Sequence, residues 1–184
     1  MALALTAFHV AIIVIAAAIF IAAAVNDVWS YRIPNYMCGL LLALFPFFVV
    51  TAPRAIDWHQ NLAVFALVAA SGFAMFLGNL AGAGDVKLLA VASLWAGPHL
   101  IAVLLVVTAI AGGLVSVVMA IAAHMRNRMT ADENGAGGEN GREKEGEEEG
   151  KAFFARIPIP YGVAIAVGGL AMLGMMARPI LLPG

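Results

Sequence analysis

The sequence predicts an all-α polytopic membrane protein of about six transmembrane helices, the fourth short, with a disordered cytoplasmic loop between the fifth and sixth. Three observations predict it. Of the 184 residues, 63% are apolar and only 11% charged, with a mean hydropathy of +0.96, so a water-soluble globule would lack the polar surface to cover itself. The charges are also clustered, one polar insert holding most of them while long tracts hold none, and the formal net charge of -1 therefore carries no message. Finally, a bilayer core of about 30 Å takes about 20 helical residues, and backbone groups in lipid must bond within their own segment, which makes apolar runs helices.

Five spans read directly: Leu3 to Val25, Pro34 to Val50, Leu62 to Leu80, Leu100 to Ala123 and Tyr161 to Leu182. The first has no basic n-region and runs longer than a secretory h-region, so it reads as a retained helix rather than a cleaved signal. A sixth, Val86 to Ala96, is too short to cross comfortably. Joining it to the next across Gly97, Pro98 and His99 would make one helix nearly twice the bilayer thickness, so a break at Gly97-Pro98 is expected.

Lysines and arginines set the orientation. Arg32, Lys87, Arg126, Arg128, Arg142, Lys144, Lys151 and Arg156 fall on one side of these spans, and Arg54 and Arg178 on the other. Eight against two puts the first group in the cytoplasm and both termini outside. Trp29, Tyr31 and Tyr36 on the inner side, and Trp58 and Trp95 on the outer, fit interfacial aromatic belts. Within the single domain of residues 1–184, the stretch 124–156 is polar, acidic and glycine-rich with no apolar period, and reads as a disordered cytoplasmic tether. The sequence "YRIPN" and the later "ARIPIP" each put Arg at the cytoplasmic interface before an Ile-Pro that starts an outward-going helix. No nucleic-acid partner is expected.

Few side chains outside the insert can carry chemistry. The lone Cys38 allows neither an internal disulfide nor a zinc-type pair and reads as a small core or lipid-facing residue. His9 reads as a hydrogen-bonded packing residue; His59, His99 and His124 are scattered at different edges, and neither a metal site nor a cofactor is expected. Of the three acidic residues outside the insert, Asp57 reads as a solvated or capping carboxylate in an outer loop. Asp27 and Asp85 both lie at the cytoplasmic edge, where a carboxylate is costly and a function is the default hypothesis.

Two readings of that pair stand. They are independent interfacial caps, Asp85 capping the short helix, or they share one site. Two carboxylates in one site cannot both ionise cheaply, so near neutrality the pair can hold a single proton, the equipment for general acid–base attack by water on a peptide bond. Gly82 and Gly84, flanking Ala83 just before Asp85, allow positive φ and the close approach of another backbone; a helix break at a membrane edge accounts for them equally. Lys87 reads as an interfacial lysine meeting lipid phosphate, with help in keeping one carboxylate ionised as the functional option.

These residues support a resemblance. "GAGDVKLL" after a membrane span resembles the GxGD motif of membrane-embedded aspartyl proteases, and the fuller set resembles the type IV prepilin peptidase family: "ND" with "RIPN" after the first span, "GAGDVKLLA" before a short fourth helix, "IPYGVAIAVGG" opening the last. The resemblance implies an enzyme that removes the short basic leader of prepilin-like subunits at the cytoplasmic face of the bacterial inner membrane. Asp27 and Asp85 would be the catalytic pair, with Gly82, Gly84 and Lys87 in the active-site loop. Larger members add a cytoplasmic domain with paired cysteines and also methylate the new N-terminus; neither feature is in this sequence, so cleavage is implied and methylation is not. The short form is similar to the peptidases of tight-adherence, Flp-type pilus systems, which points to small Flp-like pilins and pseudopilins as partners. Two other classes remain open: a small transporter or channel component using the edge Asp and Lys, and a non-catalytic pilus-assembly scaffold. Polar groups gathered at one edge, with nearly bare span interiors, favour access from the cytoplasm over a through-path.

Overall fold

A computed structural model describes residues 2–30, 32–53, 55–133 and 161–181. They form five helices: α1 (Ala2–Ser30), α2 (Asn35–Thr51), α3 (Trp58–Leu77), α4 (Ala83–Glu133) and α5 (Tyr161–Leu181). Four of them, α1, α3, α4 and α5, contain stretches long and apolar enough to cross a membrane, while α2 is a shorter apolar helix of 17 residues. The chain divides into two units. One holds α1, α2, α3, α4 as far as Gly112, and α5; the other begins at Gly113 and, among the described residues, is the remainder of α4.

Helix α1 contains neither glycine nor proline, so nothing stops it at Val25 and it runs on through Asn26 and Asp27 to Ser30. Its buried stripe is His9, Ile13, Ala16, Phe20, Ala23 and Asp27, alternating four- and three-residue steps that keep one face inward. That periodicity, continued past the expected end of the span, turns Asp27 into the interior. Against this stripe pack α2 and α5. A Cβ on Gly169 of α5 would meet the Phe20 ring at 2.8 Å, the close approach by which membrane helices gain packing where no hydrophobic drive separates protein from lipid.

Helix α3 ends in a Schellman motif: Asn79, at φ 56°, donates to the Phe76 carbonyl at 3.0 Å and Leu80 to the Met75 carbonyl at 2.9 Å. Asparagine tolerates this left-handed position. The span expected to reach Leu80 therefore stops at Leu77, and the following turn delivers Gly82 to the start of α4.

The break expected at Gly97-Pro98 is present: α4 is made of two helices that meet at a kink there. Gly97 takes φ 56° and ψ -171°, outside helical values and open to glycine. Pro98 has no N–H for the Leu94 carbonyl four residues back; the side chain of Asn61, buried on α3, supplies the donor instead at 2.9 Å. A Cβ at Gly97 would lie 2.5 Å from Asn61 Oδ1, so the same glycine that bends the helix admits the amide. The fourth and fifth expected spans thus lie in the two helices on either side of this kink.

Trp95 corrects the outer aromatic belt. It is 0% exposed, its indole N–H donates to the Leu41 carbonyl at 3.1 Å, and its ring lies 4.9 Å from Phe48 and edge-on to Phe45 at 6.1 Å. It sits four residues from Val91 on the buried face of the first half of α4, so the helical period carries it inside. Trp29, Tyr36 and Trp58 are exposed. Of the loop expected at 124–156, residues 124–133 are helical instead, since α4 continues through Glu133; a helix that already has its hydrogen-bond ladder extends residue by residue until a breaker arrives. Tyr31, Arg54 and residues 134–156 lie outside the described residues.

Candidate active site

Four separate stretches meet at one end of the first unit. Asp27 comes from the last turns of α1, Ile33 from the link to α2, Gly82, Gly84 and Asp85 from the start of α4, and Gly162 from the first turn of α5. Asn26 Nδ2 ties the link back to α1 through the Arg32 carbonyl at 2.6 Å. Ile33 is buried and is the packing centre: Cβ atoms built on Gly84 and on Gly162 would meet it at 3.3 and 2.8 Å.

The two aspartates have unlike surroundings. Asp27 is 5% exposed. The backbone N–H groups of Gly162 and Val163 approach its carboxylate as donors, as the unpaired first turn of a helix does for an anion. Its Oδ2 is nevertheless buried without a hydrogen-bond partner. Asp85 is half-buried, in the first turn of α4, close enough for the Asp27 charge to act on it. A Cβ on Gly82 would lie 2.9 Å from Asp85 Oδ2, so that glycine leaves the carboxylate room above the loop.

Lys87 is brought to the site's edge without touching either carboxylate: its Nζ donates to Asn35 Oδ1 at 3.0 Å at the surface, pinning the start of α4 to the start of α2. Asp57 lies far from the pair, exposed, accepting from Gln60 Nε2 at 2.7 Å and 3.8 Å from His59 Nδ1. His9 is buried, sharing a hydrogen bond of 3.0 Å between Nδ1 and the Thr51 hydroxyl and stacked on Phe48 at 4.8 Å. Cys38 is buried in the core as a free thiol. Among the described residues no group of three or more His, Cys, Asp or Glu side chains is arranged to hold a metal ion.

Sequence reasoning names both aspartates and both loop glycines but not Gly162, Val163, Ile33 or Asn35 as members of one site. The signal is present in the paired Ile-Pro helix starts, of which "RIPN" supplies Ile33 and Asn35 and "IPYG" supplies Gly162. Spacing alone does not say that these two helix starts share one site. A cavity of about 470 Å³ opens elsewhere, among His9, Phe48, Asn61, Trp95, His99 and Met176, at the other end of α1; neither aspartate reaches it.

Neither a search of curated proteins nor a search of solved structures yields a match. The family model described as the type IV leader peptidase family matches residues 13–117, more than half the chain, and includes Asp27, Ile33 and the whole Gly82–Asp85 turn. The chain belongs to the type IV leader peptidase family, and with it to the membrane proteases.

Proposed function

We propose that the protein is an aspartic endopeptidase of the bacterial inner membrane that removes the N-terminal leader of Flp-like type IV prepilins at the cytoplasmic face, for pilus biogenesis or secretion. The observation that carries this reading is the meeting of Asp27 and Asp85, 58 positions apart in sequence, in one site where a buried Asp27 oxygen has no hydrogen-bond partner. An unpaired buried carboxyl oxygen is costly in a merely structural role; in a proton-sharing pair it is the atom that faces the shared proton or the attacking water. In this reading α1, α2, α3, the two halves of α4 and α5 make six crossings, with both termini outside.

The chemistry follows from one proton on two carboxylates. The ionised member takes a proton from water as its oxygen attacks the scissile carbonyl carbon, and the protonated member donates to the carbonyl oxygen. The gem-diol adduct then collapses: one of its hydroxyls gives its proton to the ionised carboxylate as the C=O re-forms, the C–N bond breaks, the amine nitrogen takes the proton of the protonated carboxyl, and one carboxylate and one carboxylic acid remain. Gly82 and Gly84 keep side chains out of the path of an extended substrate backbone at Asp85. Lys87, through Asn35, holds the loop in register. The prepilin is the partner, and the carboxylate chemistry calls for no metal or cofactor.

The test is to co-express the chain with a Flp-type prepilin and follow leader removal by gel shift, comparing Asp27→Asn and Asp85→Asn with the parent. Loss of processing in both, with both variants present in the membrane at parental level, is expected. Parental processing by either variant overturns the dyad.

A further inference from the structure

The family match ends at residue 117, yet the first turn of α5, well beyond it, touches Asp27 directly. Gly162 is buried. A Cβ built on it would lie 2.7 Å from Asp27 Oδ2, 2.9 Å from Asp27 Cγ and 2.8 Å from Ile33 Cδ1. A Cβ essentially never sits under 3 Å from another heavy atom to which it is not bonded, so any side chain at 162 forces something to move. Of the groups in the way, the carboxylate can turn about χ1 and χ2, whereas Ile33 is clamped on its other side by Gly84. The first-turn N–H groups of Gly162 and Val163, which have no acceptor inside the helix, are the donors that approach the carboxylate.

We propose that Gly162 is the positioning residue for Asp27: the missing Cβ lets the carboxylate lie directly on the backbone of the α5 N-terminus, which fixes its rotamer towards Asp85. Helix α5 thereby sets the working distance of the pair, although it contributes no reacting group. The inference rests on the aspartic-dyad reading above. Its sense is mechanical. The α1 stripe turns Asp27 inward, Ile33 walls one side, and the α5 backbone stops the carboxylate at the depth where Oδ2 remains unbonded.

Gly162→Ala tests it, in liposomes holding the full chain and a Flp-type prepilin. A misplacement of about 1 Å at a reacting group costs on the order of 10²-fold, so a loss of that order in kcat with KM unchanged is expected, the signature of an interaction felt in the transition state alone. The same substitution is then made in an Ile33→Val background, which removes Cδ1 and with it the second clash. If the carboxylate is what moves, Gly162→Ala costs the same factor in both backgrounds; disappearance of the effect in the Ile33→Val background assigns it to packing and overturns the proposal. Should Gly162→Ala fail to accumulate, Val163→Pro takes its place, deleting a donor in the first turn, where proline is tolerated. Reduced kcat is expected, and parental kcat overturns the proposal. Asp27→Asn and Asp85→Asn run alongside: if they cleave normally the dyad itself is wrong, whereas inactive aspartate variants beside a fully active Gly162→Ala reject the positioning role alone.

Discussion

The two ends of α1 handle buried polar groups in opposite ways. Eighteen positions separate His9 from Asp27, about 27 Å of helix, and both lie on the same inward stripe. Around His9 the polar groups are paired: His9 with Thr51, Asn61 with the Leu94 carbonyl, Trp95 with the Leu41 carbonyl. At the other end Asp27 is equally buried but keeps one carboxyl oxygen without a partner. Buried polar groups are ordinarily satisfied because an unmade hydrogen bond is expensive. The paired end thus reads as construction, and the end with a spare acceptor as the place where a substrate, a proton or water completes the set. The aromatic-lined cavity lies at the paired end, and a second of about 470 Å³ opens beside Asn26 and Trp29 at the other.

Substitutions sharpen that contrast. The largest effect belongs to the open end: Asp27→Asn or Asp85→Asn is expected to lower the leader-cleavage rate by about 10²–10⁴-fold, the usual worth of a positioned acid or base, while thermal unfolding in detergent stays near parental. A large fall in melting temperature with cleavage retained would reverse the assignment of the two ends. Next comes Trp95→Ala at the paired end, which empties the space between Phe45 and Phe48. It should destabilise by about 3–5 kcal/mol, read as a lower unfolding midpoint, with kcat near parental where the variant remains folded. Asn61→Leu leaves the Leu94 carbonyl unpaired beside Pro98 and is expected to cost about 1–3 kcal/mol by the same measurement; unchanged stability would mean that the kink needs no side-chain cap. The smallest is Lys87→Met. It removes one exposed hydrogen bond to Asn35, worth about 0.5–1.5 kcal/mol, and steady-state cleavage should change by only a few-fold. Abolished cleavage would instead give Lys87 a part in the chemistry.

Much of the site is legible in the sequence. Asp85 behind Gly82 and Gly84 stands out because a carboxylate in lipid-compatible sequence demands a reason, and Asp27 stands out on the same ground. Topology allows the two to meet, and the helices bring both to one end. Trp95 is ambiguous in sequence because an aromatic near a span end fits an interfacial belt as well as a core; which holds depends on the face that α2 covers. Helix α1 outruns its expected span because hydropathy falls at Asn26, whereas a helix ends only where a breaker or a cap stops it.

What the sequence determines by itself is local: helical class follows from apolar runs whose backbone must bond within its own segment, the Gly97-Pro98 bend from a missing N–H, and the candidate acids from their cost in that setting. The tertiary structure decided what depends on neighbours. It turned Asp27 onto the buried stripe, gave the Leu94 carbonyl a donor from α3, and laid the Asp27 carboxylate on the backbone of Gly162. A glycine's role there is set by the atom that fills the space its side chain would have taken, and that atom lies 135 positions away in the chain.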